Sequence, residues 1–327
     1  MSSHVLTFAG SVPTLEGKCA MPTPTSERPK TVHAPLEAAA KFALLAPSPR
    51  NMQPWRIAIS DDQKLVLWID RSRSRPVADP MAREAAISCG VALGYIELSL
   101  QAQGVGYTVT TPVDPDQSTR IATIRLTDAA VDPDSQAGGL VEAAARRHTN
   151  WSAFIPRPLS DNQSVQLRAA AYGVTLTIVP GDKRAAMNSL IDQAHREQQR
   201  LPGFAFELQL WPSGRPVATS QYSNVSAPAD AAGSLVVLST ESDLMHDWIT
   251  TGKSLAKVLL VATQLELAAT FMNQPLQLED TREQVTELLE LNGAPQQLLR
   301  LGTPVHQGGS PTRRSLDEVT ATNAEPW

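Results

Sequence analysis

Cysteine is nearly absent from the 327 residues: Cys19 and Cys89 are the only two. One stands in a Pro/Ser/Thr-rich stretch and the other in an apolar run, so neither a disulfide framework nor a thiolate metal site is supported. A reducing, cytoplasmic setting fits that usage. Charge of one sign is also lacking: 28 Lys and Arg face 33 Asp and Glu, a net charge of −5. No basic stripe with interleaved aromatics offers polyphosphate a track, and nucleic acid is excluded as a partner. The six histidines show no ligand spacing such as HExxH, and no metal site is expected. There is no GxSxG elbow, no P-loop and no Gly-rich dinucleotide fingerprint after a strand, which removes hydrolase, nucleotidase and Rossmann readings. The longest apolar stretch, residues 85–100, falls short of the roughly 20 residues a bilayer span needs and contains Glu97, so no membrane segment is expected. Residues 1–33 have neither a basic n-region nor a continuous apolar h-region; they read as a disordered tail rather than a signal peptide.

What remains is a folded, α+β pattern. Residues 35–45 read as a helix, with Pro35 in its first turn, Leu36, Ala40 and Leu44 at helical spacing, and Pro47 ending it. Residues 55–59 and 64–69 read as a β-hairpin. From 83 to 103 almost no polar face is left, as in a helix at the centre of a core. Strands are expected over 107–110 and 120–126, and a polar Asp/Pro/Gly linker over 127–139 marks the boundary between two halves. The second half continues with helices near 140–147 and 160–171, a strand at 174–179, a helix at 183–200, a strand at 234–239, a long apolar helix at 252–272 and a short strand at 297–301. Residues 201–228, with Trp211, are too long for an ordinary connection.

The two long apolar helices also align with each other. The segment from Ser88 matches the segment from Thr250 without gaps, setting Gly90 on Gly252, Leu93 on Leu255 and Ile96 on Val258. One buried helix per copy, at a period far above a solenoid unit, suggests two fused halves whose helices pack together; two generic apolar helices are the alternative.

Ala46-Pro47-Ser48-Pro49-Arg50-Asn51-Met52-Gln53-Pro54-Trp55 resembles the APSxxNxQPW signature of FMN-dependent nitroreductases. Arg146-Arg147-His148-Thr149-Asn150-Trp151 resembles the basic phosphate-binding segment of the same family, which ordinarily precedes that signature. The inverted order and the closing Leu301-Gly302-Thr303-Pro304 resemble the Acg subfamily of nitroreductase-like proteins. The resemblance implies a nitroreductase fold, with mixed or antiparallel sheets flanked by helices, in two pseudo-symmetric halves within one chain: residues 34–130, and residues 131–327 with a lid insertion at about 201–228. In the family's homodimers each FMN takes its basic segment from one subunit and its PSxxN segment from the other. One complete site would remain here, in a chain that works as a monomer.

The FMN phosphate is a near-dianion that suits the planar fork of arginine. By the resemblance, Arg147 is the first candidate to hold it and Arg146 the second, with Thr149 adding a hydroxyl and Arg313 or Arg314 closing over it. Pro47, Ser48 and Asn51 are the matching residues for the ring. Each has a plainer alternative. Adjacent arginines ending a helix offset its macrodipole, Gln53-Pro54-Trp55 can simply fix a turn and fill a core, and Arg313 and Arg314 can be solvated tail residues.

No catalytic side chain is singled out, since the flavin carries the chemistry. The resemblance implies an oxidoreductase moving electrons from NAD(P)H through FMN to a small nitroaromatic or quinone acceptor. Trp151 departs from it: active members carry a basic side chain there, near the pyrimidine edge of the flavin. Losing such preorganised charge costs roughly 3 kcal/mol by analogy with a missing oxyanion donor. With a lid carrying Phe204, Phe206, Trp211 and Tyr222, this favours the alternative, a protein that binds or sequesters FMN with little reductase activity. A degenerate fold that binds no flavin is the third reading.

Overall fold

A computed structural model describes residues 33–111, 119–210, 233–306, 308–309 and 311–320. The chain divides into Met1–Thr31 and Val32–Trp327. The first unit, and with it the expected tail apart from His33, lies outside the described residues, as do residues 211–228 of the expected lid.

The second unit is built on two long helices. Arg83–Ala102 (α2, following α1 at Ala34–Ala43) is apolar around nearly its whole circumference and is buried accordingly. By length and composition it resembles a membrane span, but protein covers it: Leu93, Tyr95, Ile96 and Leu100 are fully inaccessible. Its partner is Met245–Gln264 (α7), and the two cross where neither has a side chain. A Cβ added to Gly252 would lie 2.2 Å from the Ile87 carbonyl oxygen and 2.6 Å from Gly90 Cα, and one on Gly90 would lie 2.5 Å from the Ile249 oxygen. Both glycines are there because the backbones touch.

Each helix lies against a four-stranded antiparallel sheet. Trp55–Ser60 (β1), Lys64–Ile69 (β2), Val105–Thr110 (β3) and Arg120–Ala130 (β4) pair in the order β1-β2-β4-β3. Thr175–Ile178 (β5), Ser234–Thr240 (β6), Ala268–Phe271 (β7) and Ala294–Gly302 (β8) repeat that order as β5-β6-β8-β7. In both sheets the long helix enters the chain at the same place, after the second strand. The remaining helices are Ser135–Arg146 (α3), Asp161–Ala170 (α4), Arg184–Gln198 (α5), Phe204–Leu210 (α6), Glu279–Leu289 (α8) and Leu316–Val319 (α9). The last packs beside β1, with Val319 fully buried and Thr320 bridging to Ile57 in parallel.

Several sequence expectations need correction. The apolar run 252–272 is not one helix: α7 starts at Met245, stops at Gln264, and the chain turns through Glu266 (φ 59°) into β7. A continuous apolar run fits a buried helix and a buried strand equally well, and pairing with β8 decides for the strand. The polar linker at 127–139 is mostly ordered structure, because β4 continues to Ala130 along β3 and Asp134 caps α3 by accepting from Gln136 N (2.8 Å) and Ala137 N (3.2 Å). The irregular stretch opens with α6, and α8 lacked any assigned element.

Candidate functional site

The signature segment forms a strained turn. Pro49–Asn51 is a single 3-10 turn, and Arg50 (φ 50°), Asn51 (φ 58°) and Gln53 (φ 52°) all occupy the left-handed region. Such residues cost on the order of 1–3 kcal/mol each and persist where neighbours over-determine them. The neighbours are present: Gln53 N donates to Ser48 Oγ (2.8 Å), Asn51 Nδ2 to the Thr312 oxygen (2.8 Å), and Arg313 Nη2 to the Leu45 oxygen (3.1 Å), while Arg313 Nη1 bonds Asn51 Oδ1. Gln53 therefore supports the turn, accepting from Arg314 N (2.9 Å), and Trp55 is core.

This turn edges a cavity of about 840 Å³. Ile87, Ser88 and Val91 of α2 and Leu255 of α7 form its floor, beside the helix crossing, while Phe204, Leu208 and Leu210 of α6 form a roof. Of the residues singled out from sequence, Pro47, Ser48, Asn51, Thr149 and Arg313 line it, as does Trp151, which is 47% exposed. Thr149 is placed by its bridge to Ala269 of β7, a strand that sequence reasoning missed.

The four arginines separate. Arg146, in the last turn of α3, is exposed and turned away from the cavity. Arg147, one residue on where the helix has ended, is 6% exposed and lies behind the cavity lining, and its Nε has no hydrogen-bond partner among the described residues. Arg314 is spent on structure, donating to the Gln53 oxygen (3.2 Å) and the Glu318 oxygen, and does not line the cavity. Arg313 does line it, and burial followed by the nearby Arg147 charge pushes its guanidinium down to about 10. Tyr95 joins this pair unannounced by any motif. It is fully buried on α2, stacked on Phe42 at 5.0 Å, and its hydroxyl faces both arginines without a well-aligned bond. Burial raises that phenol, and the two cations offset part of the rise. Among the described residues, no carboxylate pairs with Arg147 or Arg313. A buried and a half-buried cation with a buried hydroxyl beside them, without a carboxylate among the described residues to pair with, are a donor set in want of an anion.

The rest of the lining adds different chemistry. Gln198, Asn273, Gln277 and Gln297 present carboxamides, and the Glu84 carboxylate, 2% exposed, accepts from Arg75 Nη1 (3.1 Å), Gln277 Nε2 (2.7 Å) and Asn273 Nδ2 (3.3 Å). These residues escaped notice because they are distant in sequence, and Asn273 follows the strand misread as helix. Roof and floor are joined here. Glu207 of α6 accepts from Val77 N (2.7 Å) and Ala78 N (3.2 Å) and lies 3.5 Å from Arg75 Nε.

Just below, Asp79 accepts from Glu84 N (3.1 Å) and Ala85 N (3.0 Å) at the start of α2. Burial, then the Glu84 charge, raises its carboxyl to about 6. A carboxyl raised in the folded state binds its proton more tightly there than in the unfolded chain. Its stabilising contribution is complete below the unfolded value near 3.8 and is lost as pH rises through about 6. Asp79→Asn keeps an acceptor for the helix and removes that loss. Its effect on unfolding stability is expected to be more favourable at pH 8 than near pH 4 by about 1–3 kcal/mol, read by urea denaturation at both values. Equal effects at the two pH values would refute this.

Two like-ordered antiparallel sheets, crossed core helices and a cavity beside their crossing constitute the nitroreductase fold. A solved structure from Anabaena variabilis, provisionally named a nitroreductase, superposes over 85% of this chain and 90% of its own with a TM-score of 0.52 at 12% identity. A Mycobacterium tuberculosis protein provisionally named an NAD(P)H nitroreductase is 31% identical over 310 residues, 85% of this chain and 88% of that one. The Mycobacterium tuberculosis protein acg, provisionally named likewise, is 25% identical over 321 residues, 89% of this chain and 96% of that one. No family model matches the chain. The chain belongs to the nitroreductase-like family.

Proposed function

We propose that the protein binds one FMN per chain in this cavity and acts as an NAD(P)H-dependent oxidoreductase of the nitroreductase type toward a small nitroaromatic or quinone. The observation that carries the reading is Arg313, which lines the cavity with Thr149, Ser48 and Asn51 and is backed by the buried Arg147 and Tyr95, the two arginines having no acidic partner among the described residues. Arg147 and Arg313 would hold the phosphate, Thr149 and the Ser48 hydroxyl would add donors, and Asn51 would add one amide hydrogen beyond the one given to Thr312. The carboxamides of Asn273, Gln277 and Gln198 offer both donors and acceptors, which suits the alternating edge of a flavin pyrimidine ring. Bound there, the flavin would supply hydride acceptance and electron transfer; the chain's residues bind and orient it and keep water out.

The basic segment belongs to the second half and the signature turn to the first, so one complete site is the expectation for two fused halves working as a monomer. A second reading, FMN retention with slow turnover, is favoured by one specific observation. The roof helix α6 is fastened by Glu207, and by Arg50 Nη2 donating to the Leu208 oxygen (3.1 Å), directly over the cavity. The test is a visible spectrum of the purified protein, followed by anaerobic NADPH or NADH in the same cuvette. A bound flavin spectrum that bleaches is the expected result. Stoichiometric flavin that yields only to dithionite would select the retention reading, and no flavin after FMN titration would overturn both.

A further inference from the structure

The cavity lining carries charge of both signs. Arg50, Arg73 and Arg313 are held at the signature turn by their bonds to the carbonyls of Leu208, Met52 and Leu45. Arg75, on the same lining, stands between Glu84 and Glu207, at 3.1 and 3.5 Å, and the three residues are 5% exposed or less. One guanidinium serves two buried carboxylates, so this group carries a formal charge of −1. The neighbouring Arg83 and Asp79 both act on Glu84 and add one charge of each sign, which leaves that balance unchanged. Of the two carboxylates, Glu84 lines the cavity and Glu207 does not. Trp151, also on the lining, carries no charge to offset it.

Resting on the FMN reading above, we infer that Glu84 is a charge-setting residue that holds the bound flavin toward its oxidised form. Glu84 and Arg313 line the same cavity, so a flavin that fills it brings its ring within the field of the Glu84 carboxylate. Uptake of two electrons and one proton from dithionite or a reduced nicotinamide leaves the ring with one more negative charge. A buried net negative group with little water to screen it opposes that gain more than it opposes binding of the neutral oxidised ring. Glu84 acts through the field and not through contact chemistry, so its signature is a redox equilibrium.

The test compares the flavin-loaded wild-type protein with Glu84→Gln, which keeps the shape and removes the charge. After FMN content is established from the visible spectrum, each is poised anaerobically against a redox dye. Glu84→Gln is expected to raise the reduced-to-oxidised ratio at fixed poise at least tenfold, about 30 mV for a two-electron couple. Glu207→Gln, the same charge change behind the lining, should move the ratio in the same direction by less, and Arg75→Gln should move it the opposite way. A merely structural Glu84 would alter melting temperature and FMN content in the Gln variant and leave the ratio within twofold of wild type; that result overturns the inference. If Glu84→Gln does not fold, an unchanged ratio in flavin-loaded Glu207→Gln overturns it, and a rise upholds it. A wild-type chain that takes up no FMN overturns the cofactor reading itself, and is recognised at the first spectrum.

Discussion

Replacing Arg147 with alanine is expected to cost the protein its flavin and not its fold. Each hydrogen bond from a charged donor contributes about 1.5–3 kcal/mol, and a guanidinium fork makes two to a phosphate. The affinity for FMN should therefore fall roughly 100- to 10,000-fold, since about 1.4 kcal/mol is a factor of ten. The fold should tolerate the change because no carboxylate among the described residues depends on Arg147, and its removal relieves repulsion of Arg313, which is already held down to about 10. The competing account makes Arg147 a helix-terminal cation at the end of α3, with about 0.3–1 kcal/mol of dipole stabilisation and no ligand. FMN titration of the flavin-free protein separates the two, with melting compared in the flavin-free state because bound ligand raises stability by itself. Unchanged FMN affinity with a lower melting temperature would leave the phosphate assignment without support. The exposed Arg146 is the internal control: its alanine variant should retain FMN.

The contrast between these two adjacent arginines shows what the sequence does and does not carry. Both match the same motif, and only the residue at which α3 ends decides which is buried. Elements with one physical solution were legible. Helix α2 has no polar face and can only be core, and the hairpin β1-β2 is bounded by a polar turn and appears within a residue of its expected limits. The signature turn was legible because its residues are consecutive. Tyr95 was not, since a phenol in an apolar run reads as packing until Arg147 and Arg313 arrive from positions 52 and 218 residues away. Glu84, Asn273 and Gln277 converge in the same long-range fashion. Strand β7 failed for a local reason: Ala268–Phe271 continues the apolar pattern of α7, and only sheet pairing tells the two apart.

Gly252→Ala is expected to be strongly destabilising for so small a substitution. An alanine in a helix interior ordinarily gains about 1 kcal/mol over glycine. Here the new methyl would stand 2.2 Å from the Ile87 oxygen and 2.6 Å from Gly90 Cα, backbone atoms of a helix packed on all sides. The neighbours cannot yield as a flexible side chain would, so α2 and α7 must move apart and open the core along their crossing. Overpacking of that kind costs about 1–3 kcal/mol and more where backbone is the obstacle. A net loss of about 3 kcal/mol is expected, or roughly 6 °C or more in melting temperature at the 2–4 °C per kcal/mol of larger domains. Gly138→Ala in α3 has nothing within 4 Å of its new methyl and should stabilise by about 0.5–1 kcal/mol. Equal small effects at the two positions would show that the crossing is not as close as it is described. The floor of the cavity is formed by Ile87, Val91 and Leu255 on either side of that contact. Gly252→Ala should therefore lose flavin in proportion to stability, whereas Arg147→Ala loses flavin alone, and the pair of variants separates the scaffold of the site from its chemistry.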